Sequence, residues 1–564
     1  GVVSGPVDAF GTYMTGIDTV APVVIPDTVS RTNEGDGITL QIKVEDNIPN
    51  NTVTVYFRRG GEPTYQDTQV VLVDGSLGLS FDSTMSTAGG FEYYVEADDG
   101  TRQTVLDAGS IQVATRGARR ESPLPTMEWR LVSVPMLPKD NSFATMFSSL
   151  GPYDPSAWKA YALEGGEYVE IMNSNITEAR TGESYWFIVR DEDFRLSTGE
   201  ALSPPTENPY MIELEPGWNL ISNPFMFNIS WNRLRLAMMD AGVSEYVKGP
   251  YSWTGSDWQI PFPYGDIVSL ETWGGYAVRN DSSETIMLPV PAIAYQEGEE
   301  VAMAKEARDG RAWTIKVSAA NGTGTLARRI LGVHPEAENG RDNLDYPAPP
   351  SVAEKPCLVM ERVWDDQTTG YIADIRSSGP GGQSWDVRVQ GVEGWVGLHL
   401  DLSDPGVRQR HVYLFDTRRG YAANMRIDST YEFAAQRSES RDFVIMVGTR
   451  SYIDRLIRTF DVPKVFALCR NYPNPFTSAT RVNYQLPMAG RVAIGIHSLQ
   501  GRELARLVSS AQDAGFYSVS WNGRDRHGKG RVVPSGMYLC KMTVTDPRTG
   551  KRLFGKTLKM EMTR

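Results

Sequence analysis

Apolar and polar residues alternate with a period of two along much of this chain. ITLQIKVED (38–46) and TVTVYF (52–57) place an apolar side chain at nearly every second position, and GGFEYYVEADDG (89–100) closes the same region. Such alternation predicts strands with one face against a core, and clusters such as RRGGEP predict the turns between them. The pattern returns in RAWTIKVSA, KPCLVMERVW, SWDVRVQG, GWVGLHLDL, HVYLFD and RDFVIMVGTR, and again in RVAIGIHSL and LFGKTLKMEM. Helical patterning is confined to short pieces, NSFATMFSSL (141–150) and SWNRLRLAMMD (230–240). The expected fold is mainly β: tandem β-sandwich modules, Ig-like or jelly-roll-like, with a few short helices.

The chain also repeats itself. Trp129-Arg-Leu131-Val-Ser133-Val-Pro135 recurs as Trp218-Asn-Leu220-Ile-Ser222-Asn-Pro224, each position offset by 89 residues. Val189-Arg190 recurs as Val278-Arg279 at the same offset, and Phe187 falls on Tyr276. Matching at both ends without a net gap predicts two copies, about 127–215 and 216–290, of one small β unit packed as a pseudo-twofold pair. The full division is then an arm (1–17), a sandwich (18–116), a linker containing RGARRES, the duplicated domain (127–290), a charged connector (291–309), a second sandwich (310–455) and a C-terminal domain (465–564).

Composition narrows the function. The 564 residues are 41% hydrophobic and 10% aromatic, enough for several packed cores. No apolar run approaches the roughly 20 residues of a membrane-spanning helix. Three cysteines (Cys357, Cys469, Cys540) lie far apart, which excludes a CxxC site and a dense disulfide framework, and five histidines are scattered, which argues against a zinc enzyme. The sequence leaves open whether Cys469 and Cys540 pair. The first residue is Gly1, and no charged-then-apolar leader follows it; whether Gly1 is the natural mature start is left open too. Net charge is −13, which disfavours nucleic acid as a partner. That charge is unevenly spread. Residues 1–116 carry 16 acidic and 6 basic side chains, a net of −10; residues 465–564 carry 5 acidic and 16 basic, a net of +11. An acidic head can meet a basic tail in the same chain or the next one, and a head-to-tail contact between copies generates rings or filaments. A basic tail can also dock on an anionic surface polysaccharide.

Candidate binding residues follow from residue type. In the arm, Val2, Val3, Val7 and Phe10 are β-prone and apolar, suiting a donor strand that adds to a neighbour's sheet edge. Eight of the 13 tryptophans lie between 129 and 273. Trp129 and Trp218 are repeat equivalents and, with Trp186, are expected in the core. Trp253 and Trp258, flanked by Gly, Ser, Asp and Pro, are candidate platforms for stacking on sugars. In NGRDNLDYPAPP (339–350), Asp342, Asn343 and Asp345 offer oxygen ligands for calcium, although the spacing is not that of an EF-hand. GxSxG, HExxH, Walker A and GxGxxG are absent, and no catalytic constellation is found. The expectation is a protein that is not an enzyme.

Several blocks resemble known families. The segment 89–100 is similar to a strand of fibronectin type III and Ig-like modules of secreted bacterial proteins. The W-x-L-[VI]-S-x-P repeat resembles one in surface proteins of the Bacteroidetes–Chlorobi group. The loop 339–350 resembles that of β-sandwich modules preceding a C-terminal sorting domain in the same bacteria. In the last hundred residues, Asn471-Tyr472-Pro473-Asn474-Pro475-Phe476, YQLP, AG, Gly501-Arg502-Glu503, a second AG, Trp521-Asn-Gly523-Arg-Asp525 and Ser535-Gly536-Met-Tyr538 follow in order. This series resembles the type A C-terminal sorting domain of the type IX secretion system, and the related Ig-like domain of the flagellar hook-capping protein. His497-Ser498 stands where Tyr-Asp is common, and FTSAT replaces the usual continuation. The resemblance implies export through outer-membrane secretion machinery to the surface of a Gram-negative bacterium. In that family the domain is typically removed on export; whether it is cleaved here is left open.

Three functions are in play: a surface structural subunit assembling head to tail into a fibre or layer, an adhesin or carbohydrate-binding protein, and the accessory C-terminal part of a larger secreted hydrolase.

Overall fold

The computed structural model describes residues 20–563, apart from 27–29, 48–50, 73–74, 262, 300–311, 353–356, 365–366, 461–462, 464 and 526–529. The arm candidates Val2, Val3, Val7 and Phe10 lie outside the described residues. The chain is mainly β and built of tandem β-sandwich modules. It divides into two compact units, 1–308 with 349–353, and 309–348 with 354–564.

The first unit begins with a sandwich. Val23–Pro26, Ile38–Glu45 and Ser76–Phe81 form one sheet. Gln103–Thr115, Phe91–Asp98, Asn51–Arg59 and Gln66–Leu72 form the other. The alternation of Ile38–Glu45 is realised residue by residue: Ile38, Leu40, Ile42 and Val44 are buried, and the residues between them are exposed. They meet Val53, Val55, Phe91, Val95 and Ile111 from the facing sheet. Burying such side chains stabilises each by about 1.5–3 kcal/mol.

The repeat appears as topology. In the first copy the strands run in space as Arg130–Val132, Tyr185–Val189, Trp158–Glu164, Glu167–Glu170. In the second copy Gly217–Ser222, Gly275–Asn280, Val247–Trp253 and Trp258–Gln259 take the same order. Each copy's short helix starts on a serine cap: Ser142 accepts from Thr145 N–H, and Ser230 from Arg233 N–H. The copies clasp reciprocally. Ser133 N–H donates to the Trp273 carbonyl at 3.2 Å, and its repeat equivalent Ser222 donates to the Gly182 carbonyl at 2.7 Å.

RGARRES is not a free linker. Arg120 N–H donates to the Leu196 carbonyl, Leu124 N–H donates to that of Phe194, and Leu124 is buried in the first copy's core. The sandwich and the duplicated domain also share a sheet, because Thr115 and Ala114 pair with Ala201 and Leu202.

In the second unit, a seven-stranded sheet centred on Trp313–Asn321 and Gly324–Val333 faces a five-stranded sheet centred on Gly382–Val389 and Arg441–Gly448. Their shared core includes Trp313, Trp385, Phe433 and Phe443. The C-terminal sandwich sets Ala467–Leu468, Thr480–Leu486 and Gly515–Trp521 against Glu503–Gln512, Gly490–His497, Gly536–Thr545 and Arg552–Met562. These two sandwiches are docked. Phe415 stacks on Phe460 at 4.3 Å and meets Phe516 at 6.3 Å, beside the helix Arg450–Ile457. Gln485 Nε2 bridges the Gly420 and Val465 carbonyls at 2.9 and 3.1 Å.

Candidate functional site

Trp253 and Trp258 are not sugar platforms. They face each other across an antiparallel pair, are 6% and 2% exposed, and contact edge to face at 5.2 Å. Both pack on the fully buried Trp186 of the first copy, at 5.5 and 5.6 Å. Trp129 meets Trp186 at 6.5 Å and is half-buried. Trp218 is half-buried too, against Tyr251 and beneath Arg279. The Gly and Ser between Trp253 and Trp258 form the hairpin's turn, while the strand ends turn their indoles to the seam between the copies.

The loop 339–350 builds structure rather than a calcium cradle. Asp342 accepts from the Glu338 and Leu344 N–H groups at 2.6 and 2.7 Å. Asp345 is 1% exposed and accepts from Ile375 N–H at 3.0 Å. Burial first, then the nearby Asp374 charge, pushes the Asp345 carboxyl up to about 7. Asp374 itself is fully buried between Arg362 and Arg376, at 3.1 and 2.7 Å. Among the described residues, no three His, Cys, Asp or Glu side chains gather as a metal site.

The C-terminal blocks are the joints of their sandwich. Asn471, 1% exposed, donates to the Pro473 carbonyl and to Thr480 Oγ1 at 3.1 and 3.0 Å. The Tyr472–Pro473 and Asn474–Pro475 bonds are cis. Asn474 Oδ1 accepts from Glu561 N–H at 2.8 Å, clamping the turn to the last strand. Phe476 is buried edge-on to Trp521 at 5.5 Å, and Trp521 packs in turn on Tyr538 at 5.5 Å. Trp521 Nε1–H donates to the Arg524 carbonyl at 2.9 Å. Gly523 holds φ of +68°, a left-handed conformation that favours glycine. Asp525 N–H donates to the Arg531 carbonyl at 3.0 Å and Gly530 N–H to that of Asp525, closing the turn. Gly501 and Arg502 form the tight turn that pairs with Ser498. Gly536 opens the strand carrying Tyr538, whose hydroxyl donates to the Pro534 carbonyl. Cys469 and Cys540 are both free thiols, and burial raises both, Cys540 to about 12.

Among the described residues, the tryptophan that faces solvent is Trp395, 70% exposed on the strand Gly394–Asp401. It edges a cavity of about 400 Å³ with Asn321, His399, Thr430 and Glu432. The sequence carried its signal: in GWVGLHLDL, Val396, Leu398 and Leu400 point inward, which forces Trp395 outward.

No family model matches the chain, and neither does any curated protein. Among solved structures, a tetra-tandem repeat in the extending region of a large adhesion protein is similar at 9% identity, over 96% of this chain and 99% of that one, with a TM-score of 0.16. The D1–D4 ectodomain fragment of ICAM-5 is similar at 10% identity, over 96% and 100%, with a TM-score of 0.14. At these TM-scores the likeness carries no argument about function.

Proposed function

We propose that the chain is a non-enzymatic structural protein of a Gram-negative cell surface, exported by a type IX-like route and joined head to tail between copies. The observation that carries this reading is the charge division: −10 over residues 1–116 against +11 over 465–564. Opposite nets of that size on the first and last modules favour a heterologous contact, which propagates. Buried ionic groups support an architectural role, since they pair within their own sandwiches: Arg58 with Glu92 at 2.8 Å, and Asp374 with two arginines. Export rests on the ordered C-terminal blocks alone.

The test is negative-stain electron microscopy of native material at low and high salt. Fibres or sheets that loosen with salt are expected, because exposed charges are screened over about 8 Å at physiological ionic strength. Monodisperse particles under both conditions would refute assembly. Salt-sensitive polymers of normal length after deletion of 1–17 would remove the donor-strand part alone.

A second reading, adhesion to carbohydrate, is favoured by Trp395. A glycan array without hits, or with hits unchanged in Trp395→Ala, counts against it.

A further inference from the structure

Within the second unit, a cleft of about 590 Å³ opens between the two sandwiches. That volume falls within the range of small-ligand sites. Its lining includes Arg408, Arg410, Arg426, Arg450 and Arg481, with Tyr472 at the lip, and among the described residues no carboxylate lines it. Five arginines around one cavity repel one another, a cost that a bound anion relieves.

The arginines are positioned largely by neutral partners. Arg410 Nε–H donates to the Gly406 carbonyl at 3.2 Å, and its guanidinium lies 5.4 Å over the Trp313 ring. Arg426 donates to the Arg410 carbonyl at 3.2 Å and to that of Val407. Arg450 donates to the Tyr413 hydroxyl at 2.7 Å, and Asp454 accepts from its Nε at 2.9 Å. Carbonyls and rings fix Arg410 and Arg426 without cancelling their charge, whereas Arg450 is paired with Asp454. Forks held in this way match oxyanions with two parallel hydrogen bonds. Burial, with Arg450 second, also holds the His411 imidazole below its ordinary range, as expected in a positive cleft.

Two further features select the ligand. Gln409, Asn424 and Ser520 also line the cleft and bring amide and hydroxyl groups to it. Tyr472 is 51% exposed and offers an aromatic face beside the charges. Oxyanion, hydroxyl and stacking face together describe one chemistry. We infer that this cleft binds an acidic saccharide, a sugar bearing a carboxylate or a phosphate.

The experiment is calorimetric titration of the full chain with trigalacturonate, glucose 6-phosphate, inorganic phosphate and neutral maltotriose. Saturable binding of at least one acidic sugar is expected, and the arm that binds identifies the oxyanion. Arg408→Gln with Arg481→Gln, both exposed positions, should weaken it about tenfold or more. Tyr472→Ala should weaken the sugars and leave inorganic phosphate unchanged. Arg502→Gln with Arg548→Gln removes the same charge elsewhere on the C-terminal sandwich and should leave binding intact. Unchanged thermal transitions certify the folds. The inference is overturned by no binding up to about 10 mM of any probe, by equal binding of maltotriose, by binding of inorganic phosphate alone, or by equal loss in the control pair. If Arg408→Gln with Arg481→Gln abolishes self-association and no sugar binds, the cleft receives the acidic module of a second copy instead, which also overturns it.

Discussion

Truncating Trp258 separates a core role from a binding role by magnitude. The side chain is 2% exposed and touches Trp186 and Trp253 at 5.6 and 5.2 Å, both edge to face. Trp258→Ala removes the indole's burial and leaves a cavity at the seam between the two copies. Buried aromatic-to-alanine changes cost about 3–5 kcal/mol. The two edge-to-face contacts, each worth about 0.5–1.5 kcal/mol, place this site toward the upper end. A domain of this size loses about 2–4 °C in Tm per kcal/mol, so its transition should fall by about 6–20 °C. Scanning calorimetry of the full chain reads this directly. Trp395→Ala is the internal comparison: at 70% exposure it should stay within about 0.5 kcal/mol. A Trp258→Ala transition within about 2 °C of the parent, together with loss of glycan binding, would refute the assignment of Trp258 to the core.

Three more outcomes follow from the second unit. The Asp345 carboxyl holds its proton to about pH 7 when folded, against about 3.8 when free. Its contribution to stability is therefore greatest below about pH 4 and is lost as pH rises through about 7. The stability difference between parent and Asp345→Asn, by urea unfolding from pH 4 to 8, should shift progressively against the parent; a flat difference refutes the burial argument. Arg441→Met leaves Asp416, which is 0% exposed, with Tyr431 and backbone N–H groups but without its cation, and should cost about 3–5 kcal/mol in denaturant unfolding. Phe516→Ala removes one docking contact on Phe415 and should split the second unit's unfolding into separate transitions; one unchanged transition would show that the Phe415–Phe460 stack and Gln485 suffice.

What the sequence revealed depends on how local the cause is. Period-two burial in Ile38–Glu45 and Gly394–Asp401 is set by the pleat alone and could be read directly. The 89-residue offset was legible because equivalent residues occupy equivalent strands. The tryptophans show where reading stops. Their Gly, Ser and Asp neighbours signal a turn, and the turn exists, but which way its flanking indoles face depends on Trp186, some seventy residues earlier. The same holds for Thr115 with Ala201: a two-residue pairing across a module boundary leaves no periodic trace. In 339–350 the carboxylates were visible, but the backbone N–H groups that occupy them come partly from the strand holding Ile375, beyond the reach of spacing arguments.

The C-terminal blocks combine two kinds of residue that the sequence cannot distinguish. Asn471, Phe476 and Trp521 are buried and hold the sandwich together, a role that does not depend on whether anything recognises the turn. Tyr472, Pro473, Asn474 and Pro475 between them are exposed and are the part of the block a partner can touch. Tyr472 also stands at the lip of the arginine cleft. A secretion machine reading that turn and an acidic sugar in the cleft would therefore contend for one side chain. Export and surface attachment would then be sequential rather than simultaneous, and Tyr472→Ala should impair both, whereas Arg408→Gln should impair only the second.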